Sequence, residues 1–340
     1  MKFLFLGAGA IGTYIAGTLA AGGEDVAIIE QPAVAARIGE QGLIVHRERG
    51  TITERRVSLF TTPADALGAA RHDVCIFALK SFDTESAIDG LAGAGLEVPP
   101  ILSLQNGVDN EPTIAARIGA DRVIAGTLTT SIAKRGPGEV VEETDRGLGV
   151  AAGHPLSEAL VATLNRVGLR TRAYPQAGPM KWSKLLTNLP GNATSAILDL
   201  PVADLFADRR LYEVELAVLR ECLAVMAALG FAPVDLPRTP VRALALATRA
   251  PRVVAQPLLR RALGSSRGDK MPSFHIDLHG GRGRSEVGWL NGAVVRYGRT
   301  HGVPTPVNRV LTDTLEALTA GEQSLETYRK TPDALLRLLP

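Results

Sequence analysis

The chain has 340 residues, more than one domain usually contains, so we expect two domains that each bury their own core. Its 37 basic and 35 acidic residues give a net charge of +2, which excludes a general attraction to nucleic acid or to an anionic membrane surface. Two cysteines are too few for a disulfide framework and favour a reducing, cytoplasmic location. No apolar run reaches the roughly 18 residues that a membrane-spanning helix needs.

The first 30 residues predict a strand over 2–6, a glycine turn, a helix over 11–21 and a second strand over 26–30. The turn matches the dinucleotide-binding pattern Gly-x-Gly-x-x-Gly. Such glycines allow a tight turn and a close approach of the backbone to a pyrophosphate, and the helix N-terminus offers N–H groups to the anion. We therefore predict that a nicotinamide dinucleotide binds here through its phosphates. The predicted loop consists of Gly7, Ala8, Gly9, Ala10, Ile11 and Gly12.

Glu30 ends the second predicted strand. A carboxylate at this place accepts hydrogen bonds from the hydroxyl groups of the adenosine ribose, and it repels a 2′-phosphate. The sequence thus favours NAD(H) over NADP(H) as the cofactor.

The rest of the chain predicts an α/β fold, with a Rossmann-type domain built on a mostly parallel sheet and then an all-helical domain. Residues 43–60 look like a short antiparallel insertion, and the pattern becomes helical near residue 177. We therefore predict a dinucleotide-binding domain over 1–177 and a helical substrate domain over 178–340. A late helix is expected over 285–301. Further buried strands are predicted at 74–79, 100–104 and 122–126.

Three polar residues of the second domain recur at helical spacing. Lys184, Asn188 and Asn192 stand at i, i+4 and i+8, which predicts that they share one face of a single helix. An ammonium group and two amides can give a proton to a carbonyl oxygen and hydrogen bonds to a carboxylate. Reduction of a 2-keto acid requires both.

Four segments resemble the ketopantoate reductase family, in the right order over nearly the whole chain. Residues 181–192 read Lys-Trp-Ser-Lys-Leu-Leu-Thr-Asn-Leu-Pro-Gly-Asn and resemble the family's Trp-x-Lys-Leu…Asn…Asn signature. Residues 285–292 read Ser-Glu-Val-Gly-Trp-Leu-Asn-Gly and resemble its glutamate-containing helix motif. Leu79-Lys80 and Gln105-Asn106-Gly107-Val108 each follow a predicted strand, as in the family.

The resemblance implies a fold like that of 6-phosphogluconate dehydrogenase. It implies a reductase of pantothenate biosynthesis that transfers hydride from NAD(P)H to the keto carbon of 2-dehydropantoate or a related keto acid or ketone. Lys184 would be the general acid, and Glu286 would hold or tune it. Gln31 replaces the family's usual basic residue for a 2′-phosphate, so NADP(H) stays open as the cofactor. The other contacts implied are Asn106, Asn188, Asn192 and Ser273 for the substrate, and Lys80 and Asn106 for the cofactor.

Two alternatives remain open. An opine or imine dehydrogenase shares the two-domain plan but typically uses a histidine as the acid. A dinucleotide-sensing protein without turnover would be expected to have lost Lys184 or Glu286, and both are present. The expected partner is therefore a small keto acid or ketone, with no nucleic acid and no membrane, and a homodimer is left open.

Two further patterns stand outside this scheme. Residues 236–268 are rich in arginine and contain no acidic residue, which is typical of a solvated helix face or of a segment that reads an acidic substrate. If the segment sets the substrate, neutralising Arg260 and Arg261 raises the Michaelis constant more than it changes turnover. His275 and His279 flank Asp277 at a spacing that could hold a metal, but hydride transfer of this kind needs none, so no metal site is predicted.

Overall fold

The computed structural model describes residues 1–264 and 271–339. The chain divides into two compact units, which we call the sheet unit (Met1–Lys181 with Leu236–Thr239) and the helical unit (Trp182–Asp235 with Pro240–Pro340). No helix within the described residues is long and apolar enough to cross a membrane. The predicted fold class, a mostly parallel α/β sheet followed by a helical domain, is confirmed.

The sheet unit contains an eight-stranded sheet and a four-stranded sheet. The first has the order β12-β11-β8-β7-β6-β1-β2-β5, and all its pairs are parallel except β8 with β11. The second has the order β4-β3-β10-β9. The strands are β1 (Lys2–Leu6), β2 (Asp25–Ile29), β3 (Leu43–Arg47), β4 (Gly50–Glu54), β5 (Ser58–Phe60), β6 (Val74–Phe77), β7 (Ile101–Ser103), β8 (Val123–Leu128), β9 (Ser131–Gly136), β10 (Glu139–Thr144), β11 (Leu148–Ala151) and β12 (Thr171–Tyr174).

The larger sheet buries both faces, because successive side chains of a strand point to opposite sides. In β1, Phe3 and Phe5 belong to one apolar cluster, whereas Leu4 and Leu6 belong to another. The residues of β1 are therefore apolar almost without interruption, which is the pattern that made this strand predictable. The helices of this unit are α1 (Ala10–Ala21), α2 (Pro32–Gln41), α3 (Pro63–Ala69), α4 (Thr84–Ala92), α5 (Asn110–Ile118) and α6 (Ser157–Arg166), and α7 (Ala177–Asn188) begins in it.

Helix α1 is covered by both sheets. Every residue from Gly12 to Ala20 is buried, and α1 packs against β1 and β2 on one side and against β3, β4, β9 and β10 on the other. A Cβ added at Gly17 would lie 3.0 Å from Val45 Cγ2 and 3.4 Å from Leu43 Cβ. The closeness of the second sheet explains why this helix consists largely of alanine and glycine.

The predicted insertion over 43–60 is only partly an antiparallel unit. Strands β3 and β4 form the expected hairpin, but β5 pairs in parallel with β2 and extends the main sheet. The partner of β3 on its other side is β10, almost 100 residues later in the chain. The local pattern gave no indication of that pairing.

The helical unit contains α8 (Asn192–Leu198), α9 (Val202–Ala207), α10 (Arg209–Ala228), α11 (Val241–Ala247), α12 (Arg252–Leu259), α13 (Ser273–His279), α14 (Asn291–Thr300), α15 (Pro306–Thr319) and α16 (Pro332–Leu336). Its longest helix, α10, buries an apolar stripe that packs against α9, α14 and α15. The helix predicted over 285–301 is shorter than expected. A 3-10 turn over Val287–Trp289 precedes α14, so Glu286 lies before the helix and not on it.

Candidate active site

Four predicted cofactor segments meet at one edge of the main sheet. The glycine loop follows β1, Glu30 follows β2, Lys80 lies three residues after β6, and Asn106 lies three residues after β7. These strands are neighbours in the order β7-β6-β1-β2 and are parallel, so their carboxyl ends share one edge. The strand order reverses between β1 and β6, which is where open α/β sheets bind dinucleotides. We call this edge the crevice.

The glycine loop is shaped by backbone contacts within the sheet unit. Gly7 has φ +85°, and its N–H donates to Ile29 O at 3.0 Å. A Cβ at Gly12 would overlap the carbonyl oxygen of Gly7, so only glycine fits there. A Cβ at Gly9, in contrast, would meet only Ala78 O at 3.9 Å. The protein itself leaves room at Gly9, and this is the position at which a phosphate is expected to approach the backbone.

The start of α1 fits a dinucleotide phosphate. Gly9 is the N-cap residue of α1 and has no side chain that could occupy the first N–H groups of the helix. The α1 dipole places partial positive charge at this end. No acidic side chain stands in the first turn of α1. Residues Gly9, Ala10, Ile11 and Gly12 would hold the phosphates through their N–H groups.

Glu30 is half-buried and is held by the glycine loop. Its Oε2 accepts a hydrogen bond from Ala8 N at 2.6 Å, and its Oε1 accepts one from Gln31 N at 2.9 Å. An ionised carboxylate can accept about four hydrogen bonds, so acceptor capacity remains for the two hydroxyl groups of a ribose. Gln31 is exposed.

The loops that carry Lys80 and Asn106 are joined by a buried polar network. Ser81 Oγ donates to Asn106 O at 3.0 Å, and Asn110 Nδ2 donates to the same oxygen at 2.6 Å. Gln105 Nε2 donates to Thr84 Oγ1 at 2.8 Å. The structure therefore joins the loops that carry Lys80 and Asn106, and the roles of these two residues toward cofactor and substrate stay predictions. The network residues were not predicted, although an amide after a buried strand is a signal that could have indicated them.

Lys181 is a further residue that the sequence did not single out. Its buried ammonium group donates to Gln105 O at 2.7 Å and to Gly126 O at 3.2 Å. It also forms an ion pair with Glu111 Oε1 at 2.7 Å, and the side chains are only 5% and 14% exposed. Lys181 thus fixes the carbonyl group directly before Asn106. Its place inside the signature of residues 181–192 was the available signal.

The prediction that Lys184, Asn188 and Asn192 share one helix is wrong. Helix α7 ends at Asn188 and α8 begins at Asn192. Pro190 disfavours helical geometry in the residue before it, and Gly191 adopts a left-handed conformation with φ +66°. We call residues 188–192 the corner.

The corner nevertheless keeps the two asparagines together. Asn192 Nδ2 donates to Asn188 O at 3.2 Å, and the buried Glu215 accepts a hydrogen bond from Gly191 N at 2.6 Å. Lys184 and Asn188 lie one turn apart on α7, and both are half-buried. Asn192 therefore stays next to Asn188 through the bend of the corner and not through a continuous helix.

Asn192 also connects the corner to α13. Its Oδ1 accepts a hydrogen bond from Phe274 N at 3.1 Å, which places the backbone of Ser273 beside it. Because one N–H of Nδ2 is bonded within the protein, the second N–H is the donor that Asn192 can offer to a substrate carboxylate. The side chain of Ser273 is exposed.

The second signature motif has a buried polar centre. Glu286 is 4% exposed. Asn291 is fully buried, and its Nδ2 donates to Asn308 Oδ1 at 3.0 Å. Asn308 Nδ2 in turn donates to Glu221 Oε2 at 2.7 Å. Asn291 therefore fastens the start of α14 to α15 and α10, and it fixes the segment on which Glu286 lies.

The arginine-rich segment is described up to residue 264, and its remainder to 268 lies outside the described residues. Arg260 and Arg261 are exposed, in a turn of π-helix that follows α12. Arg242 forms an ion pair with Asp235 at 2.7 Å. Part of the positive charge is thus paired locally, and the role of Arg260 and Arg261 in choosing the substrate stays a prediction.

Comparisons with known proteins give one consistent result. Residues 3–152 match the family described as "Ketopantoate reductase PanE/ApbA", and residues 178–319 match "Ketopantoate reductase PanE/ApbA C terminal". The chain is 30% identical over 318 residues to 2-dehydropantoate 2-reductase of Halobacterium salinarum, covering 92% of this chain and 97% of that protein.

Solved structures agree with this result. A PanE/ApbA family ketopantoate reductase from Ralstonia eutropha is 30% identical with a TM-score of 0.80, covering 95% of this chain and all of that one. D-mandelate dehydrogenase, solved with NADH and anilino(oxo)acetate, is 22% identical with a TM-score of 0.75, covering 94% and 99% of the two chains. The second likeness is one of fold alone.

Proposed function

The chain belongs to the ketopantoate reductase family, and we propose that it reduces 2-dehydropantoate or a closely related 2-keto acid with a nicotinamide cofactor. The observation that carries the proposal is the crevice, where the glycine loop, Glu30, Lys80 and Asn106 converge at neighbouring strand ends. The relatives of both halves of the chain are ketopantoate reductases, which favours this reading over an opine dehydrogenase or a sensor without turnover.

In the proposed reaction, the reduced cofactor supplies a hydride to the keto carbon of the substrate. The carbonyl oxygen gains negative charge as the hydride arrives, and Lys184 gives it a proton. The product is the 2-hydroxy acid, and Lys184 regains its proton from solvent. Asn188, Asn192 and Ser273 would bind the carboxylate and hydroxyl groups, and Glu286 would orient the Lys184 ammonium group. Half-burial of Lys184 and Asn188 is consistent with access by a small substrate.

We propose NADH as the preferred cofactor. The support is Glu30, whose carboxylate is held at the crevice by Ala8 N and Gln31 N, where a 2′-phosphate would meet like charge. Replacing Glu30 by Gln removes the charge and keeps the size, so it should lower the preference for NADH over NADPH about tenfold or more. The ratio of kcat/KM for the two cofactors measures this, and an unchanged ratio would remove Glu30 from the argument.

The function is tested by following NADH and NADPH oxidation separately with 2-dehydropantoate and a panel of aliphatic and aromatic 2-keto acids. Lys184→Ala should lower kcat by about 10²- to 10⁴-fold, the usual contribution of a general acid. The dissociation constant for NADH, measured by fluorescence, should not change. Arg337→Gln, at an exposed position just after α16 that has no proposed role, provides a control in the helical unit.

Three outcomes would contradict the proposal. A Lys184→Ala protein with full activity would refute the mechanism. Activity only when an amine is added with the keto acid would favour the imine alternative, and cofactor binding without turnover on the whole panel would favour a sensor.

We further propose action in the cytoplasm, where reduced thiols such as the buried Cys75 and Cys222 persist. Analytical sedimentation will show whether a homodimer forms.

A further inference from the structure

Two histidines and an aspartate lie together on the helical unit, apart from the residues proposed for catalysis. His275 and His279 are one turn apart on α13, and their rings stack with centroids 4.1 Å apart. Asp199 ends α8, and its Oδ1 lies 2.7 Å from His275 Nε2. One donor atom from each of the three residues lies within 4.8 Å of the other two.

The third member of this group is not the aspartate that the sequence suggests. Asp277 stands between the two histidines in the chain, but it is buried and forms an ion pair with Arg282 at 2.8 Å. Asp199 comes instead from a helix some 75 residues earlier. Two imidazoles at i, i+4 spacing and a carboxylate form a common ligand set for zinc and neighbouring transition metals.

The surroundings of the cluster suit a ligand set. The side chains of His275 and Asp199 are 13% and 20% exposed, so both are partly removed from water, and His279 is exposed and open to approach. Arg329 Nε donates to Asp199 Oδ2 at 3.1 Å. It therefore binds the oxygen that points away from His275 and can orient the carboxylate, as groups behind a metal ligand commonly do.

We propose that Asp199, His275 and His279 bind a divalent transition metal ion of the zinc type, with water completing the coordination. The ion takes the place of the proton shared by His275 Nε2 and Asp199 Oδ1. In a tetrahedral zinc site the donor atoms are about 3.3 Å apart, since the bonds are about 2.0 Å long. The two atoms are 2.7 Å apart, so they must separate by about 0.6 Å to admit the ion. His279 has to turn toward them and release Ala196 O, which its Nε2 contacts at 3.0 Å.

A metal at this place would fasten α13 to the end of α8. These two helices also meet at the hydrogen bond between Asn192 and Phe274. Because Ser273 begins α13, the ion would stabilise the segment next to a proposed substrate residue without taking part in hydride transfer. Its expected effect is therefore on stability, and turnover in the absence of the metal should persist.

The test is calorimetric titration of the tag-free, chelator-treated full-length protein with ZnCl2, with CoCl2 as an optical probe of tetrahedral coordination. We expect one equivalent of zinc per chain and a rise in melting temperature that depends on the zinc concentration. His279→Ala and Asp199→Asn should each weaken zinc binding at least tenfold. His301→Ala is the matched control, because His301 is also an exposed helical-unit histidine, and it should bind zinc as the unchanged protein does.

The metal-free melting temperature of each variant shows whether it folds. The exposed position of His279 makes its substitution the least disruptive of the three. Absence of saturable zinc binding at one equivalent would overturn the proposal. So would zinc binding that a folded His279→Ala protein retains in full, since the ion would then lie elsewhere.

Discussion

The glycine loop at the crevice is shaped mainly by backbone, whereas the corner of the helical unit is shaped by side-chain amides. In the glycine loop, the decisive contacts are between main-chain atoms, such as those that exclude a Cβ at Gly12. At the corner, Asn192 joins α7 to α13 through its amide oxygen and nitrogen. A site made of backbone can be predicted from the spacing of glycines. A site made of side chains depends on contacts between residues that are distant in sequence.

The largest expected effect is a difference in stability between substitutions at two glycines of the same loop, Gly12 and Gly9. Gly12→Ala should prevent stable folding or lower the melting temperature strongly, because its Cβ overlaps the backbone of Gly7. Gly9→Ala should keep the melting temperature, since 3.9 Å to Ala78 O is an ordinary contact. It should weaken NADH binding at least tenfold by obstructing the phosphates. Thermal unfolding and fluorescence titration of both variants measure this, and a Gly9→Ala protein with unchanged affinity would show that the loop does not hold phosphate.

Lys181 is a buried side chain that supports the backbone of the crevice, and its substitution tests how much that support contributes to stability. Lys181→Met leaves Glu111 charged, partly buried and without this partner, and we expect a loss of up to about 3 kcal/mol in the free energy of unfolding. The double variant Lys181→Met with Glu111→Leu should recover part of this loss, because no charge stays unpaired. Urea unfolding gives both values. Equal stability of the single and double variants would mean that the pair is not coupled.

The corner is tested by its amide. Asn192→Ala leaves Phe274 N–H buried without an acceptor, which should cost about 1–3 kcal/mol in the free energy of unfolding. Asn192→Asp keeps the acceptor oxygen but replaces the donor to Asn188 O by a second oxygen, so it should recover part of that loss only at low pH, where the protonated carboxyl group can donate. Urea unfolding compares the two, and identical values for Ala and Asp at low pH would show that the hydrogen bond to α13 contributes little.

The smallest expected effect comes from a side chain that belongs to neither region. The hydrogen bonds from the Arg56 guanidinium lower the pKa of Glu54 from 4.5 to about 2. A lowered pKa in the folded state stabilises the protein at neutral pH, and this contribution is lost as the pH falls from about 4.5 to 2. Because Arg56 is 76% exposed, we expect less than about 1 kcal/mol.

Glu54→Gln should therefore be slightly less stable than the unchanged protein at pH 7, and the difference should disappear near pH 2. Thermal unfolding across this pH range measures the difference. Glu40→Gln is the matched control, because Glu40 forms an exposed ion pair with Arg37. A difference between the Glu54 proteins that stayed constant with pH would mean that the charge of Glu54 is not its cause.

Most of the sheet unit could be predicted because its signals are local. The uninterrupted apolar residues of β1 reflect two buried faces, and the loop over 7–12 reflects contacts between residues close in sequence. The pairing of β3 with β10 could not be predicted, since nothing in either strand specifies a partner almost 100 residues away. The same holds for Lys181, whose three partners come from a loop, a strand and a helix.

In the helical unit, the spacing of polar residues was not enough to predict where a helix ends. Spacing at i, i+4 and i+8 assumes that the helix continues, and Pro190 with Gly191 ends it. The effect of the proline at this position outweighs the polar spacing. Asp199 joins His275 although Asp277 is nearer in the chain, because α13 turns Asp277 into the core. Residue types could be predicted there, and their partners could not.

Helix α1 lies between two sheets, so its backbone is shielded from solvent on both sides. Amide hydrogens of a helix that is covered on both sides exchange with solvent only when one cover separates, so they should be among the slowest to exchange in the sheet unit. The last three residues of the glycine loop, Ala10 to Gly12, begin that helix. A dinucleotide would therefore meet a loop that is already ordered, and little chain entropy would be lost on binding.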